Sequence, residues 1–262
     1  MDMYLYFKPI LTILEKRELI WEMALRDLKG GSKGAILGIL WVAINPLIQV
    51  AAYVIIVSFI FKAKFTNDSR PFEYALYVLS GMIPWQILSR SITEAPMLIR
   101  SNTELVKQVV YPIETLPIIH LLSGAFGGLI NFIVFLFLFF FIGDVSWTII
   151  LLPIPLFFLL LLILGISWVF SICGVLLKDL KEIVTVIMML LIYFSPVIIK
   201  DSMMGGSLWR WIMFNPLSHV IIPFRDVFWG TLHLWSWAIF IFMSIIIFFF
   251  RGFIGHENKT TN

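Results

Sequence analysis

Residues 115–177 read TLPIIHLLSGAFGGLINFIVFLFLFFFIGDVSWTIILLPIPLFFLLLLILGISWVFSICGVLL, two long apolar runs interrupted only around Gly143, Asp144 and Val145. Each run exceeds the roughly 18 apolar residues that mark a membrane-spanning helix. Neither alternates with a period of two, so helices are indicated rather than the strands of a barrel. So short a break leaves room for little but a tight hairpin, with almost nothing outside the bilayer at that end. The stretch sets the expected class, an all-α polytopic membrane protein.

The rest of the chain extends the pattern. Of its 262 residues, 60% are hydrophobic and 13% charged, against about 25% charged in ordinary soluble domains. Apolar runs predict six spans, at 35–61, 72–93, 115–142, 147–177, 183–199 and 234–253. They leave an N-terminal segment at 1–34, a spanning domain at 35–253 and a tail at 254–262. Thirteen of the nineteen Lys and Arg residues fall at the two termini, in the loop around Arg100 and in the turn at Lys178, and six fall on the opposite side. By the positive-inside rule both termini are cytoplasmic. The first 35 residues mix acids and bases without a signal-peptide core, so the first span is the expected targeting signal. The single cysteine, Cys173, lies inside a span, which excludes an intrachain disulfide and any metal-type cysteine spacing.

Ahead of the first span, residues 10–28 place Leu14, Trp21, Leu25 and Leu28 on one helical face, with Glu15, Glu18, Glu22, Arg26 and Lys29 on another. Glu22 and Arg26 stand at the favourable i,i+4 spacing. This is the pattern of an interface helix with Trp21 at headgroup level, and equally of a helix packed on a soluble partner. Gly30, Gly31 and Gly34 then break the helix. They lack the spacing of a phosphate loop, and no nucleotide-binding signature occurs elsewhere.

Residues 100–117, RSNTELVKQVVYPIETLP, form a polar island between spans. Ser101 with Glu104 fits a capping box and Pro112 marks a stop, which together predict an amphipathic helix of about two turns outside the lipid. Glu104, Lys107 and Gln108 would face water or a docked protein. The same residues also fit an ordinary solvated loop. On the other side, residues 200–233 are too polar to span yet carry Trp209, Trp211, Phe214, Phe224, Phe228 and Trp229. Breaks at Gly205, Gly206, Pro216 and Pro223 predict short helices dipping back into the outer interface.

Within the first span Trp41, Asn45, Gln49 and Tyr53 recur at every fourth position, advancing about 40° per step, and amides in lipid are costly unless they face protein or water. Further inward-facing candidates are Tyr77, Ser80, Trp85, Ser167, Ser171, Tyr193 and Ser195. Singly, each fits helix packing; together they make an aromatic and amide-lined path suited to sugars. Arg90 and Glu94 are expected to pair across one turn, and Gly124 and Gly128 with Asn131 beyond them read as a packing seam. His120 and His219 lack companions at metal spacing, and no Ser/His/Asp or paired-carboxylate arrangement stands out.

RDLKGGSKGAILGILWVAINP (26–46), LSGMIPWQ (79–86), NTELVKQVVYPIETLP (102–117), KDL (178–180), SPVI (195–198), NPL (215–217) and FRD (224–226) together resemble the ABC type-2 permease family. Within it the chain resembles the branch that exports lipid-linked polysaccharides, namely O-antigen, capsule and teichoic acid. One departure is GGSKG, where many relatives carry an Arg and a Tyr before the Ser.

The resemblance implies a homodimeric exporter in a bacterial inner membrane, moving an undecaprenyl-linked polysaccharide. It implies a separate dimer of ATPase subunits that binds ATP and Mg, with no cofactor or metal in this chain and no nucleic-acid partner. The segment 100–112 would be the coupling helix, presenting Ser101, Asn102, Glu104, Lys107 and Gln108, and Trp21, Glu22 and Arg26 would mark the interface helix. Trp41, Asn45, Gln49, Tyr53, Tyr77, Trp85 and Tyr193 would line the channel, and residues 200–233 would hold re-entrant periplasmic gate helices with Pro196, Trp209, Trp211, Phe214, Asn215 and Pro216. Rival readings are an exporter of a drug or another lipid, and a polytopic glycosyl or lipid transferase. A transferase would carry a loop carboxylate cluster, which the sequence does not offer.

Overall fold

The protein is described from a computed structural model, which covers residues 15–30, 37, 40–56, 72–104, 113–197 and 206–260. Among these residues every regular element is helical: α1 (Arg17–Gly30), α2 (Trp41–Ile55), α3 (Glu73–Glu94), α4 (Leu98–Ser101), α5 (Leu116–Ile142), α6 (Pro153–Leu176), α7 (Leu180–Tyr193), α8 (Gly206–Met213), α9 (Pro216–Trp229) and α10 (Leu234–Thr260). Short 3-10 turns at Ala95–Met97, Ile113–Thr115 and Trp147–Leu151 lead into α4, α5 and α6. A helix satisfies its own backbone, which is what an apolar solvent demands.

Two stretches, Ile113–Ile142 and Trp147–Leu176, are long and apolar enough by themselves to cross a membrane, and Leu234–Phe249 is a shorter apolar helix. They correspond to three of the expected spans, and α2, α3 and α7 stand where the other three were expected. Two of these helices differ from expectation in their boundaries. The last helix runs without a break to Thr260, so the expected tail at 254–262 is mostly a continuation of α10. The fifth apolar run starts its helix earlier, at Leu180, and ends it at Tyr193, ahead of Pro196.

Helices in lipid gain nothing from escaping water and rely instead on close contact, which small residues permit. Gly165 of α6 lies against the α10 backbone, where an added Cβ would meet the Ile247 carbonyl carbon at 2.9 Å. Gly128 of α5 packs under Ile87 of α3, with a virtual Cβ at 2.7 Å from its Cγ1. At the centre, Leu88, Leu159, Ile163, Ile221, Phe224 and Phe240 join α3, α6, α9 and α10 in one buried cluster. Beside it Phe135 and Phe139 of α5 clasp Phe228 of α9, with ring centroids 4.8 and 5.0 Å away and edge-to-face geometry.

The polar segment expected to break into short dipping pieces does so at Pro216. Asn215 caps α9, its Oδ1 accepting from the Leu217 amide, and Pro216 takes the first helical position. Pro223 does not break the chain: it sits inside a continuous α9. Nor does α9 lie at the surface, since every residue from Leu217 to Phe228 is buried. It ends at Gly230 with φ 71°, a left-handed conformation that a side chain disfavours.

The N-terminal helix packs on the protein through a face other than the Trp21 stripe. Ile20 and Ala24, with Met23, pack on Ile118 and Ile119 of α5 and Trp168 of α6. Trp21 points outward beside Phe126, at 6.0 Å between ring centroids, and Glu22 and Arg26 are exposed. The reason is a second, narrower apolar stripe: α1 has one side for protein and another for its surroundings.

Candidate functional site

The stripe on α2 borders a groove of about 560 Å³. Trp41, Asn45 and Gln49 form one wall, and Trp85, Gln86, Ile87, Ser89 and Arg90 of α3 form another. Ser123, Gly124, Gly127, Gly128 and Asn131 of α5 lie on a third side, and Asp27 and Leu28 at the end of α1 complete the lining. The expected seam of Gly124 and Gly128 is therefore divided. Gly128 is packed, whereas a Cβ on Gly124 or Gly127 would meet nothing within 4 Å, so those two glycines keep the groove open.

Across it, Asn131 Nδ2 donates to Gln86 Oε1 at 3.2 Å. Asn131 is 7% exposed and its Oδ1 has no partner among the described residues, so the pair leaves one amide end unspent there. Four amides and two indoles give this groove a mostly uncharged, hydrogen-bonding and partly flat lining, with Asp27 and Arg90 as its charged members. Its rim is charged: Arg90 Nε lies 3.5 Å from Glu94 Oε1, the expected pair, and Glu94 Oε2 lies 3.2 Å from His120 Nε2. The latter approach is within ion-pair range but is not aligned as a hydrogen bond. Partial burial pushes the Asp27 carboxyl above the usual carboxylate range, while His120 and Arg26 pull it back. Among the described residues no three His, Cys, Asp or Glu side chains are grouped to hold a metal ion.

Of the residues expected to line a path, Trp41, Asn45, Gln49 and Trp85 are brought together here. The Tyr53 side chain lies outside the described residues. Tyr193 is 65% exposed at the end of α7 and is not part of this groove. Tyr77 is buried beneath Arg225, and the hydroxyls of Ser80, Ser171 and Ser195 bond back to carbonyls of their own turns, at Tyr77, Trp168 and Ile192. These groups are satisfied locally and need no path.

The capping box at Ser101 is also corrected. Ser101 ends α4 rather than opening a helix, and its hydroxyl donates to the Met97 and Leu98 carbonyls at 2.8 and 3.3 Å. Helical backbone resumes at Thr103 and Glu104, after Asn102 has donated from Nδ2 to the Leu98 carbonyl. Ser101 and Glu104 are exposed, and Lys107 and Gln108 lie outside the described residues. Arg100 Nη1 donates to the Lys178 carbonyl at 3.3 Å, tying this loop to the turn before α7.

At the opposite end is a knot that residue spacing did not reveal. Arg225 of α9 is 6% exposed. Its guanidinium donates to the carbonyls of Pro196 and Val197 and, at 2.8 Å, to the Tyr77 hydroxyl, and it lies over the Tyr77 ring at 3.7 Å. The next residue, Asp226, turns the other way. It accepts from Thr231 Oγ1, the His233 amide, His233 Nδ1 and Trp237 Nε1, all at 2.7–2.9 Å. Thr148 Oγ1 adds a 2.8 Å bond to the Val227 carbonyl. One buried helix thus joins α3, the residues after α7, the hairpin and the start of α10. An Arg-Asp pair amid an aromatic, apolar segment was the available signal, because charges in such surroundings seek partners.

Of the expected gate residues, Pro196 gives its carbonyl to Arg225, and Asn215 is buried with Nδ2 donating to the Leu191 and Phe194 carbonyls. Trp209 is half-buried, Pro216 is exposed, and Trp211 and Phe214 are 74% and 80% exposed.

Comparison with known proteins agrees with this architecture. The family described as "ABC-2 type transporter" matches residues 18–229. An O-antigen export system permease protein RfbA of Klebsiella pneumoniae is 28% identical over 228 residues, covering 85% of each chain. A protein of the same name from Myxococcus xanthus is 24% identical over 223 residues, covering 82% of each. The family match takes in α1 through α9, the groove and the Arg225 knot alike: the chain belongs to the ABC-2 type transporter family and is an integral membrane protein.

Proposed function

We propose that this chain is the transmembrane subunit of an ABC exporter that moves a lipid-linked polysaccharide, such as O-antigen, to the outer face of a bacterial inner membrane. The observation that carries this reading is the groove, where Asn45, Gln49, Gln86 and Asn131 offer uncharged donors and acceptors beside the flat faces of Trp41 and Trp85. A sugar has hydroxyls at its edges and C–H groups on its faces, so this mixture suits it better than a charged or wholly apolar solute. Similarity to O-antigen export permeases supports the same cargo.

In this reading α2, α3, α5, α6, α7 and α10 are the six spans. Both termini are cytoplasmic, α1 lies in the inner interface, and α8 and α9 are re-entrant from the outer side. Two copies enclose the path. A dimer of a separate ATPase subunit binds ATP and Mg and docks where Ser101, Asn102, Glu104, Lys107 and Gln108 lie, so this chain performs no hydrolysis itself.

Single cysteines at Asn45, Gln49 and Trp85, in a Cys173→Ser background, are expected to react with a water-soluble thiol reagent at least about tenfold faster than cysteines at Leu47 or Ile48. Lipid-linked glycan extracted from the producing strain should protect them. Equal labelling on both faces of α2 would remove the groove from the path, and protection by bulk lipid alone would point to another cargo. At the cytoplasmic end, Glu104→Lys is expected to leave folding intact and lower copurification of the ATPase by about tenfold, because charge at a water-exposed interface sets docking. Wild-type copurification with wild-type export would separate this segment from coupling.

A further inference from the structure

Gly124, Gly127 and Asn131 recur at steps of three and four, which puts them on one face of α5, and all three line the groove. Two of them are bare backbone, since a Cβ on either glycine would meet nothing within 4 Å. The third is a buried amide whose Nδ2 donates to Gln86 Oε1 and whose Oδ1 has no partner among the described residues. A buried acceptor is costly until something supplies a donor. As it stands Oδ1 is closed off from solvent, but the last torsion of an asparagine is broad, so a modest turn of the amide presents it to the groove. This wall therefore offers one acceptor beside a patch that has room and no side chains.

The other walls offer donors. Asn45 and Gln49 of α2 are exposed, and Gln86 of α3 gives its oxygen to Asn131, which leaves its NH2 group for another acceptor. A secondary amide is planar and trans, so in an acetamido group the N–H and the methyl lie along one edge and the carbonyl oxygen on the other. A plain hydroxyl donates and accepts at a single oxygen and brings no methyl. A carboxylate or a phosphate diester brings no donor for Asn131 at all.

We propose that the groove seats an acetamido group of the cargo, with its N–H on Asn131 Oδ1, its methyl on the surface of Gly124 and Gly127, and its carbonyl oxygen on the amides of α2 or Gln86. The inference rests on the export reading and names its substrate class, a glycan that carries N-acetylated amino sugars. Trp41 and Trp85 supply flat faces for the ring that bears the group.

The test uses the permease in complex with its ATPase, in lipid nanodiscs, with Ser89→Cys on the α3 wall in a Cys173→Ser background. The probes are chitotriose, whose rings bear acetamido groups, and cellotriose, the same backbone with hydroxyls in their place. Chitotriose should slow thiol labelling at a concentration at least about tenfold below that needed with cellotriose. Adding Gly127→Ala should abolish most of that preference, leaving the cellotriose response and the melting point unchanged. Asn131→Leu should do the same to the preference, and if that protein fails to fold, Gly127→Ala reads the same seat. Equal action of the two probes, or none by chitotriose, would overturn the acetamido seat, and so would a preference that survives Gly127→Ala. The export reading is judged separately, by extracted lipid-linked glycan: protection of Ser89→Cys by it leaves the path in place even when the seat is refuted, and its failure to protect removes both.

Discussion

Arg225→Met is expected to lower the midpoint of thermal unfolding by about 10 °C and export to below about a tenth of the wild-type level. The side chain it removes satisfies the carbonyls of Pro196 and Val197 and the Tyr77 hydroxyl, all in buried surroundings. Each of the two carbonyls left without a donor costs about 1–3 kcal/mol, so the sum is on the order of 3 kcal/mol before any loss of packing. Among the described residues no salt bridge compensates the cation, since Asp226 spends its oxygens on Thr231, His233 and Trp237. Arg225 is held instead by carbonyl dipoles and by the face of Tyr77.

This origin predicts a graded series. Tyr77→Phe keeps the ring and loses one hydroxyl, at about 1 kcal/mol. Arg225→Lys falls between, because an ammonium cannot reach two carbonyls and a phenol with the geometry of a planar fork. Gly81→Ala puts a methyl 3.0 Å from Arg225 Nη2 and 3.1 Å from Ile221, and should displace the guanidinium in part. Unfolding followed by tryptophan fluorescence in detergent reads the series. An Arg225→Met protein that melts with the wild type would show that the knot contributes no stability.

The helices were legible in the sequence because lipid requires a chain to bond its own backbone, and runs of apolar residues report that directly. Half of the groove was legible for a related reason: Asn45 and Gln49 lie on one helix, where spacing gives direction. The other half was not, because Gln86 and Asn131 meet across 45 positions and nothing local records the meeting. The Ser101 to Glu104 pattern misled for a physical reason. A capping hydroxyl needs free amides ahead of it, and Ser101 instead ends the turn begun at Leu98, where carbonyls of that turn lie closer. Arg225 was counted as an outer-side charge, and its burial depends on α9 being enclosed by neighbours from distant parts of the chain.

Gly174→Ala is expected to be as damaging at the other end. A Cβ there would lie 2.1 Å from the Pro96 carbonyl oxygen and 2.6 Å from its carbonyl carbon and Cα, all backbone atoms that cannot rotate aside as a side chain can. Ala95 is fully buried and Pro96 lies within the Ala95–Met97 turn, so the turn has little room to retreat. Overpacking costs about 1–3 kcal/mol where neighbours can shift, and a clash of backbone on backbone belongs at or above the top of that range. The consequence reaches further than stability. The turn leads through α4 to Ser101 and Glu104, and Arg100 ties it again to the carbonyl of Lys178, two residues beyond the end of α6. Forcing α6 away from the turn moves the loop proposed to receive the ATPase, so any Gly174→Ala protein that folds should hydrolyse ATP in complex while exporting below about a tenth as much glycan. Gly124→Ala and Gly127→Ala, whose added methyls meet nothing within 4 Å, provide the control and should leave the melting point unchanged. A Gly174→Ala chain that melts and exports as the wild type would mean that α6 and the turn can part without cost, and coupling would then have to run through another contact.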